Sequence, residues 1–166
     1  MEKIYLGAGC FWGVEELLRR KEGIIQATSG YCGGELENPT YQDICTGTTG
    51  HAEVVEVLFN LQKISIIELL KYFFQLHDAT QLNRQGNDIG TQYRSVIYTN
   101  LLEEIVLVKK SMKKFQFILN NNKLGKIRTE IDILENFFMA EEYHQKYLHK
   151  NPNGYCGLQG LNLEYT

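Results

Sequence analysis

Residues 7–16 are Gly7-Ala8-Gly9-Cys10-Phe11-Trp12-Gly13-Val14-Glu15-Glu16, and they follow the apolar segment Ile4-Tyr5-Leu6. The small residues before Cys10 allow a sharp turn. After it, apolar side chains recur at helical spacing, at Phe11, Val14 and Leu18. The pattern therefore predicts a strand over 2–7, a helix over 10–20 and a cysteine where the helix begins.

This position suits a reactive thiol. The free N–H groups and the positive dipole end of a helix N-terminus favour a thiolate, and such environments lower a cysteine pKa from about 8.5 to about 3.5–7.5. Cys10 is thus a candidate nucleophile, with a buried core cysteine as the competing interpretation. The adjacent Phe11-Trp12 pair contains the only Trp of the sequence and is placed to form an apolar pocket beside the sulfur.

Length and composition restrict the classes of protein. The 166 residues, 43% of them apolar, suit one globular domain over 1–166. A net charge of -3 argues against nucleic acid or a membrane surface as the main partner. The absence of a long apolar segment leads us to expect a cytoplasmic protein. Four cysteines without a C-x-x-C pair predict neither a disulfide scaffold nor a structural zinc site.

Periodicity and turn residues predict an α+β protein, a two-layer sandwich of helices on a sheet. Strands are predicted over 2–7, 23–31, 52–59, 94–99 and 127–134. Helices are predicted over 10–20, from the capping box at Ser65 towards His77, from a cap at Asn100 to Leu119, and over 140–149. Long loops cover Glu35 to Gly50 and Asp78 to Gln92, and an irregular tail begins at Asn151.

One strand carries a candidate acid. In Ala52 to Phe59 the alternation of side chains places Glu53 on the same face as Val55, Val57 and Phe59. Glu56 alternates with apolar residues in the same way, so the pattern alone does not say which glutamate is buried. Glu53 is favoured because it begins the strand beside the first loop. Burial would raise the pKa of its carboxyl group, which would then retain a proton near pH 7.

Several segments, in this order, resemble the peptide methionine sulfoxide reductase A family over the chain from the first strand to Gly157. They are Gly9-Cys10-Phe11-Trp12-Gly13, Gly30-Tyr31-Cys32-Gly33-Gly34, Asn38-Pro39-Thr40-Tyr41, Thr46-Gly47-Thr48-Thr49-Gly50-His51-Ala52-Glu53-Val54, His77-Asp78, residues 83–95 and Ala140-Glu141-Glu142-Tyr143-His144-Gln145. The resemblance implies a ferredoxin-like core with long active-site loops, a mobile C-terminal tail and the reduction of methionine-S-sulfoxide, free or in proteins.

The resemblance also implies roles for individual residues. Cys10 would attack the sulfoxide sulfur, while Glu53, Tyr41 and Tyr93 hold and protonate its oxygen. Phe11 and Trp12 would enclose the S-methyl group. Asp88 would help to hold the polar network. We expect His51, Gln85, Gly86 and His144, which also match family positions, to support this geometry.

Recycling would then depend on a second thiol. The Cys10 sulfenic acid would condense with Cys156, which matches a family resolving position and lies in a Gly-flanked tail. No cysteine follows Cys156, so thioredoxin, or a small dithiol, would reduce this disulfide directly. Cys32 and Cys45 are competing resolvers. The resemblance implies no cofactor, and we expect a monomer that repairs oxidised proteins.

Two other readings stay open at this point. One is a Cys/His hydrolase or transferase with Cys10 as nucleophile and His51 or His144 as base. The other is a thiol redox sensor that uses Cys10 and Cys156 without catalysis. Neither interpretation explains the residues of both long loops, Glu35 to Gly50 and Asp78 to Gln92.

Overall fold

The computed structural model describes residues 1–134 and 136–165. In chain order the strands are β1 (Glu2–Ala8), β2 (Ile24–Cys32), β3 (Ala52–Phe59), β4 (Arg84–Gln85), β5 (Asp88–Ile89), β6 (Ser95–Thr99), β7 (Glu130–Ile133) and β8 (Phe137–Met139). The α-helices are α1 (Phe11–Arg19), α2 (Tyr41–Cys45), α3 (Ile66–Leu76), α4 (Leu102–Asn121) and α5 (Tyr147–Lys150). Within the described ranges, every helix is too short or too polar to span a lipid bilayer.

Six strands form one sheet in the order β7-β6-β1-β3-β2-β8. β1 pairs antiparallel with β3, with Leu6 opposite Val55, and β3 pairs antiparallel with β2, with Tyr31 opposite Glu53. β6 and β7 form the parallel pair at one edge. The central strands are rich in β-branched residues and almost wholly buried, as expected for strands covered on both faces.

The helices pack on one face of this sheet and form the main core. Helix α1 contacts β2 and β3, and α3 contacts α4. Ser65 and Glu68 form the predicted capping box at the start of α3, with Glu68 N donating to Ser65 Oγ at 3.1 Å and Ser65 N donating to Glu68 Oε2 at 2.8 Å. Such a cap stabilises a helix by about 1 kcal/mol.

The opposite face of the sheet holds a second, smaller apolar cluster. Its buried members are Tyr5, Cys32, Ala52, Val54, Val96 and Tyr98. Phe137 of β8 and Leu134, which precedes that strand, pack against this cluster. The alternation along β3 therefore divides its side chains between two cores, and Glu53 points to the face that carries α1.

Some predicted boundaries are wrong. The first long loop contains α2, which begins with a capping box of Thr40 and Asp43. The predicted final helix over 140–149 is a 3-10 turn at Glu142–His144 followed by α5, because Lys146 adopts a left-handed conformation with φ of 53°. Helix α4 is capped at Leu101 instead of Asn100. β8 was not predicted.

The architecture is mixed α/β, with five α-helices and a six-stranded sheet in the described part of the chain. The ferredoxin-like core and the single domain over 1–166 stay predictions. The tail from Asn151 is irregular, as predicted, since Asn151 to Tyr165 contains neither helix nor strand. Its distal end is nevertheless packed, because Tyr165 is buried in the main core.

Candidate active site

Cys10 occupies the N-cap of α1, where β1 turns into the helix. The preceding Gly9 has φ of +100°, a conformation that other residues rarely adopt, and a Cβ on it would lie 2.8 Å from the Cβ of Gln85. The turn therefore depends on glycine. It leaves the Cys10 side chain partly exposed at the N-terminal end of the helix.

Glu53 lies beside this cysteine and is only 1% exposed. Its Oε1 accepts a hydrogen bond of 3.1 Å from the backbone N–H of Phe11, the residue after Cys10. Burial raises the pKa of Glu53 to about 8, and the Phe11 hydrogen bond opposes that increase. The carboxyl group is therefore mainly protonated at pH 7. Glu56, in contrast, is partly exposed and pairs with Lys3 at 3.5 Å.

The expected low pKa of Cys10 is wrong for this structure. Burial raises the pKa of the thiol above its ordinary value, and the nearby carboxyl of Glu53 raises it further. The backbone N–H of Trp12 acts in the opposite direction without cancelling these effects. Loss of hydration outweighs the helix end here, so the resting thiol keeps its proton. A protonated thiol is less prone to adventitious oxidation.

Tyr41 and Tyr93 converge on the same place from the two loop segments. Tyr41 is the first residue of α2, and Tyr93 ends a 3-10 turn at Thr91–Tyr93. Burial raises the pKa of both hydroxyl groups, and the charge of Glu53 raises both further. Cys10 also contributes to the increase for Tyr93. Both hydroxyl groups are therefore neutral donors within the electrostatic influence of Glu53.

Glu141 fixes one of these tyrosines, a role that sequence reasoning missed. Its Oε2 accepts a 2.9 Å hydrogen bond from the backbone N–H of Tyr41, and its Oε1 accepts one of 2.9 Å from the hydroxyl of Tyr31. Tyr31 is fully buried opposite Glu53 on β2. Glu141 thereby ties the start of α2 to the sheet. The only indication of a role for Glu141 in the sequence is that the segment Ala140 to Gln145 belongs to the family resemblance.

The two aromatic residues after Cys10 have different surroundings. Phe11 is 1% exposed, with ring centroids 5.6 Å from Tyr31 and 5.0 Å from His144. Trp12 is partly buried and stacks on Tyr147, with centroids 3.8 Å apart and planes 12° apart. Its Nε1–H donates to His144 Nδ1 at 2.9 Å, which fixes the orientation of the indole.

Asp88 lies on the short β4–β5 hairpin, where its carboxylate and the hydroxyl of Tyr155 both lie next to Gly157. Burial raises the pKa of Asp88, and the nearby hydroxyl of Tyr155 opposes the increase. The charge of Asp88 also raises the pKa values of Glu53 and Tyr93. The tail therefore reaches the site next to its candidate resolving cysteine, and Tyr155 is a contact that sequence reasoning missed.

Cys156 is exposed and lies against the first turn of α1. A Cβ built on Gly13 would come within 2.7 Å of the Cys156 sulfur. Residues three apart share one face of a helix, so this places Cys156 on the face that carries Cys10. Consistent with that proximity, the Cys156 charge contributes to the raised pKa of Cys10. Of the competing thiols, Cys32 is fully buried in the cluster on the opposite face of the sheet.

Cys45 is exposed at the end of α2. The charge of Cys45 contributes to the raised pKa values of the hydroxyl groups of Tyr41, Tyr93 and Tyr143. It therefore lies on the side of the site that carries the tyrosines. Cys156 is the thiol that the structure places on the face of Cys10.

Neither candidate histidine is arranged as a base for Cys10. His51 is 1% exposed, with Nδ1 accepting from Gly34 N at 3.1 Å and Nε2 within 2.7 Å of the carbonyl oxygen of Leu36. His144 uses Nδ1 to accept from Trp12. Its pKa is lowered by burial, so the ring is neutral and carries its proton on Nε2. Neither histidine is therefore placed to act as the general base that the hydrolase interpretation requires.

The arrangement can carry out a thiol-based reduction. The Cys10 sulfur lies beside a protonated carboxyl group, the hydroxyls of Tyr41 and Tyr93 are within its electrostatic influence, and a second thiol lies against the first turn of the same helix. Among residues 1–134 and 136–165, no group of three or more His, Cys, Asp or Glu side chains is placed to hold a metal ion.

Comparison with known proteins gives a consistent result. A family model described as peptide methionine sulfoxide reductase matches residues 2–163. The peptide methionine sulfoxide reductase MsrA of Pseudomonas syringae pv. tomato is 51% identical over 163 residues, which span 98% of this chain and 76% of that protein.

Solved structures agree with the sequence match. Methionine sulfoxide reductase A of Corynebacterium diphtheriae superimposes with a TM-score of 0.89 at 42% identity, covering 93% of this chain and 77% of the other. Reduced Mxr1 from Saccharomyces cerevisiae gives 0.88 at 38% identity, covering 94% and 88%. The same yeast protein in complex with Trx2 gives 0.62 at 26% identity, covering 88% and 84%. Since sequence and fold match over nearly the whole chain, this protein belongs to the peptide methionine sulfoxide reductase family.

Proposed function

We propose that this chain is a peptide-methionine (S)-S-oxide reductase, which converts methionine-S-sulfoxide, free or in proteins, to methionine. The observation that carries the proposal is the pair at the start of α1, where Cys10 lies beside a buried carboxyl group that retains its proton. A sulfoxide needs a nucleophile at sulfur and an acid at oxygen. Family membership supports the same activity.

In the first step the Cys10 sulfur attacks the sulfoxide sulfur while Glu53 protonates the sulfoxide oxygen. The attack forms a transient bond between the Cys10 sulfur and the substrate sulfur. As the S–O bond of the substrate breaks, the oxygen passes to Cys10 as the hydroxyl of a sulfenic acid, the transient S–S bond breaks, and the thioether of methionine leaves. The substrate is reduced by two electrons and Cys10 is oxidised by two. The proton lost by the thiol returns to Glu53. A placed general acid contributes about 10²- to 10⁴-fold to such a rate.

Tyr41 and Tyr93 support this step as hydrogen-bond donors to the sulfoxide oxygen. Their raised pKa values keep both hydroxyls protonated, and neutral donors fixed in a partly dehydrated site stabilise developing negative charge without reorganisation. Asp88 places the hairpin next to Tyr155 of the tail, and its charge supports the protonated state of Tyr93 and Glu53.

Trp12 and Phe11 select between the two sulfoxide epimers. Trp12 is fixed by its hydrogen bond to His144 and by stacking on Tyr147. With Phe11, it forms the apolar side for the S-methyl group, opposite the polar side that takes the oxygen. Methyl, oxygen and the attacking sulfur then have fixed positions, so only one configuration at sulfur fits.

In the second step Cys156 attacks the sulfenic acid. A Cys10–Cys156 disulfide forms and water leaves. The position of Cys156 against Gly13 supports this assignment, as Cys32 lies on the other side of the sheet. Thioredoxin, or a small dithiol in its place, then reduces the disulfide, in line with the complex of the related yeast protein with Trx2. No cofactor takes part.

We further propose that the protein repairs oxidised proteins as a monomer in the cytoplasm. Four cysteines spread over 166 residues do not form the dense set of a disulfide scaffold, which suits a reducing compartment.

One assay tests the activity. Purified protein with dithiothreitol is given the S or the R epimer of a blocked methionine sulfoxide, and methionine is measured by chromatography. We expect the S epimer to be reduced and the R epimer to remain nearly untouched. Cys10→Ser should abolish the reaction. Cys45→Ser is the matched control, because it makes the same substitution at an exposed cysteine at the end of α2, and it should retain the reaction. Equal rates on both epimers would contradict the methyl pocket, and activity in Cys10→Ser would remove the nucleophile.

A further inference from the structure

The distal end of the tail is fastened to helices α3 and α4. Tyr165 is 6% exposed and its ring stacks on Phe115 of α4, with centroids 5.3 Å apart and planes 2° apart. Its hydroxyl donates to the carbonyl oxygen of Ser111 at 2.5 Å and lies 3.0 Å from Ser111 Oγ. Its backbone N–H donates to Gln75 Oε1 at 3.2 Å. The proposed reaction uses none of these contacts.

The chain between the site and this anchor follows the protein closely. Leu158, Leu161 and Leu163 are partly buried against the main core. At Gly160 the backbone runs so close to α3 that any Cβ would collide with the carbonyl oxygen of Gln75. The segment Leu158–Tyr165, here called the strap, is therefore packed along its length although it has no regular secondary structure.

The strap restricts the position of Cys156 from its C-terminal side. On the N-terminal side, Cys156 follows α5, which ends at Lys150, and the hydroxyl of Tyr155 lies near the carboxylate of Asp88, next to Gly157. With Tyr165 anchored, residues 151–165 form a loop held at both ends. Release of one end would let the segment explore a larger volume, which lowers the effective concentration of the Cys156 thiol at Cys10.

We propose that Tyr165 is a positioning residue for the second step of the reaction, which keeps Cys156 against the first turn of α1 and speeds the capture of the Cys10 sulfenic acid. This inference rests on the proposed function. It assigns Tyr165 no part in oxygen transfer, since the anchor lies between α3 and α4 and contacts none of the groups around Cys10. The bond formed is Cys10–Cys156, and the sulfenic hydroxyl leaves as water.

The test separates the two steps in a single turnover. Reduced protein is mixed with one equivalent of the S-sulfoxide without any external thiol, and samples are quenched over time. Methionine reports oxygen transfer, while mass spectrometry of alkylated peptides reports the Cys10–Cys156 disulfide. Tyr165→Ala, which removes the ring and its hydroxyl, should form methionine at the wild-type rate and the disulfide at least tenfold more slowly. Tyr165→Phe, which retains the stacked ring, should show a smaller decrease.

Glu164→Ala is the matched control, because Glu164 is exposed next to the anchor. It should form methionine and the disulfide at wild-type rates. An unchanged methionine burst in the Tyr165 variants shows that the site is folded, and Tyr165→Phe serves if Tyr165→Ala does not fold. Disulfide formation at the wild-type rate in the variants would overturn the positioning role. A wild-type protein that yields no methionine would instead refute the proposed function.

Discussion

The buried carboxyl group of Glu53 gives the sharpest prediction, because its environment determines both rate and stability. With a pKa of about 8, about nine-tenths of the molecules carry the Glu53 proton at pH 7 and about one-tenth at pH 9. If Glu53 protonates the sulfoxide oxygen, the rate of oxygen transfer should decrease with a midpoint near pH 8. A reaction limited only by thiol ionisation would instead accelerate with pH.

Glu53→Gln preserves the shape of the side chain and an oxygen that can accept from Phe11 N, but it removes the acidic proton. We expect oxygen transfer at pH 7 to slow by about 10²-fold or more, the usual contribution of a general acid. The decrease above pH 8 should disappear from the remaining activity.

The same substitution should change the pH dependence of stability. Between an unfolded pKa of 4.5 and a folded pKa of about 8, the folded chain retains a proton that the unfolded chain has lost, so stability falls as pH rises through this interval. At 1.36 kcal/mol per pKa unit, the cost above pH 8 reaches at most about 5 kcal/mol. Glu53→Gln removes this cost, so its melting temperature relative to wild type should be higher at pH 9 than at pH 5.

The assay is a single-turnover measurement of methionine from pH 6 to 10, together with thermal melts at pH 5 and pH 9. Glu56→Gln is the matched control, since Glu56 lies on the same strand but is partly exposed. It should retain the wild-type rate and profile. A wild-type rate and pH profile in Glu53→Gln would show that Glu53 is not the acid and would move that role to Tyr41 or Tyr93.

Two further predictions concern resolution. Cys156→Ser should still release one equivalent of methionine per protein but lose steady turnover with thioredoxin, and dithiothreitol should restore part of that turnover. Peptide mapping that shows Cys10 joined to Cys32 or Cys45 in the wild-type protein would contradict the assignment of Cys156. Gly13→Ala places a Cβ 2.7 Å from the Cys156 sulfur, so it should slow disulfide formation severalfold while leaving the methionine burst intact. An undiminished rate of disulfide formation in Gly13→Ala would show that Cys156 reaches Cys10 by another path.

Local pattern was sufficient for several elements of the site. The strand-to-helix change at Cys10 follows from small residues next to a helical apolar period, and the capping box of α3 follows from Ser65 and Glu68. Alternation along β3 correctly grouped Glu53 with Val55, Val57 and Phe59, but the choice of Glu53 over Glu56 depended on its place beside the first loop. These inferences succeed because side-chain direction within a strand or helix depends on the local backbone alone.

Local pattern failed where distant residues determine the backbone. The helical pattern of 140–149 is interrupted at Lys146, next to Gln145, whose side chain bonds to the backbone of Ser29, 116 positions away. β8 exists because it pairs with β2 at the edge of the sheet.

The residues of the chain were enough to indicate the family, Cys10 as a candidate nucleophile and Glu53 as a candidate acid, and the family resemblance implied Cys156 as the resolving thiol. Three contacts became visible only in the folded chain: Glu141 joins Tyr31 to Tyr41, Cys156 lies against Gly13, and Tyr165 fastens the strap. It also reversed the expected pKa shift of Cys10. The physical reason is the same in each case: burial and long-range contacts depend on which distant segments pack together, and a helix N-terminus favours a thiolate only where packing leaves the sulfur hydrated or paired with positive charge.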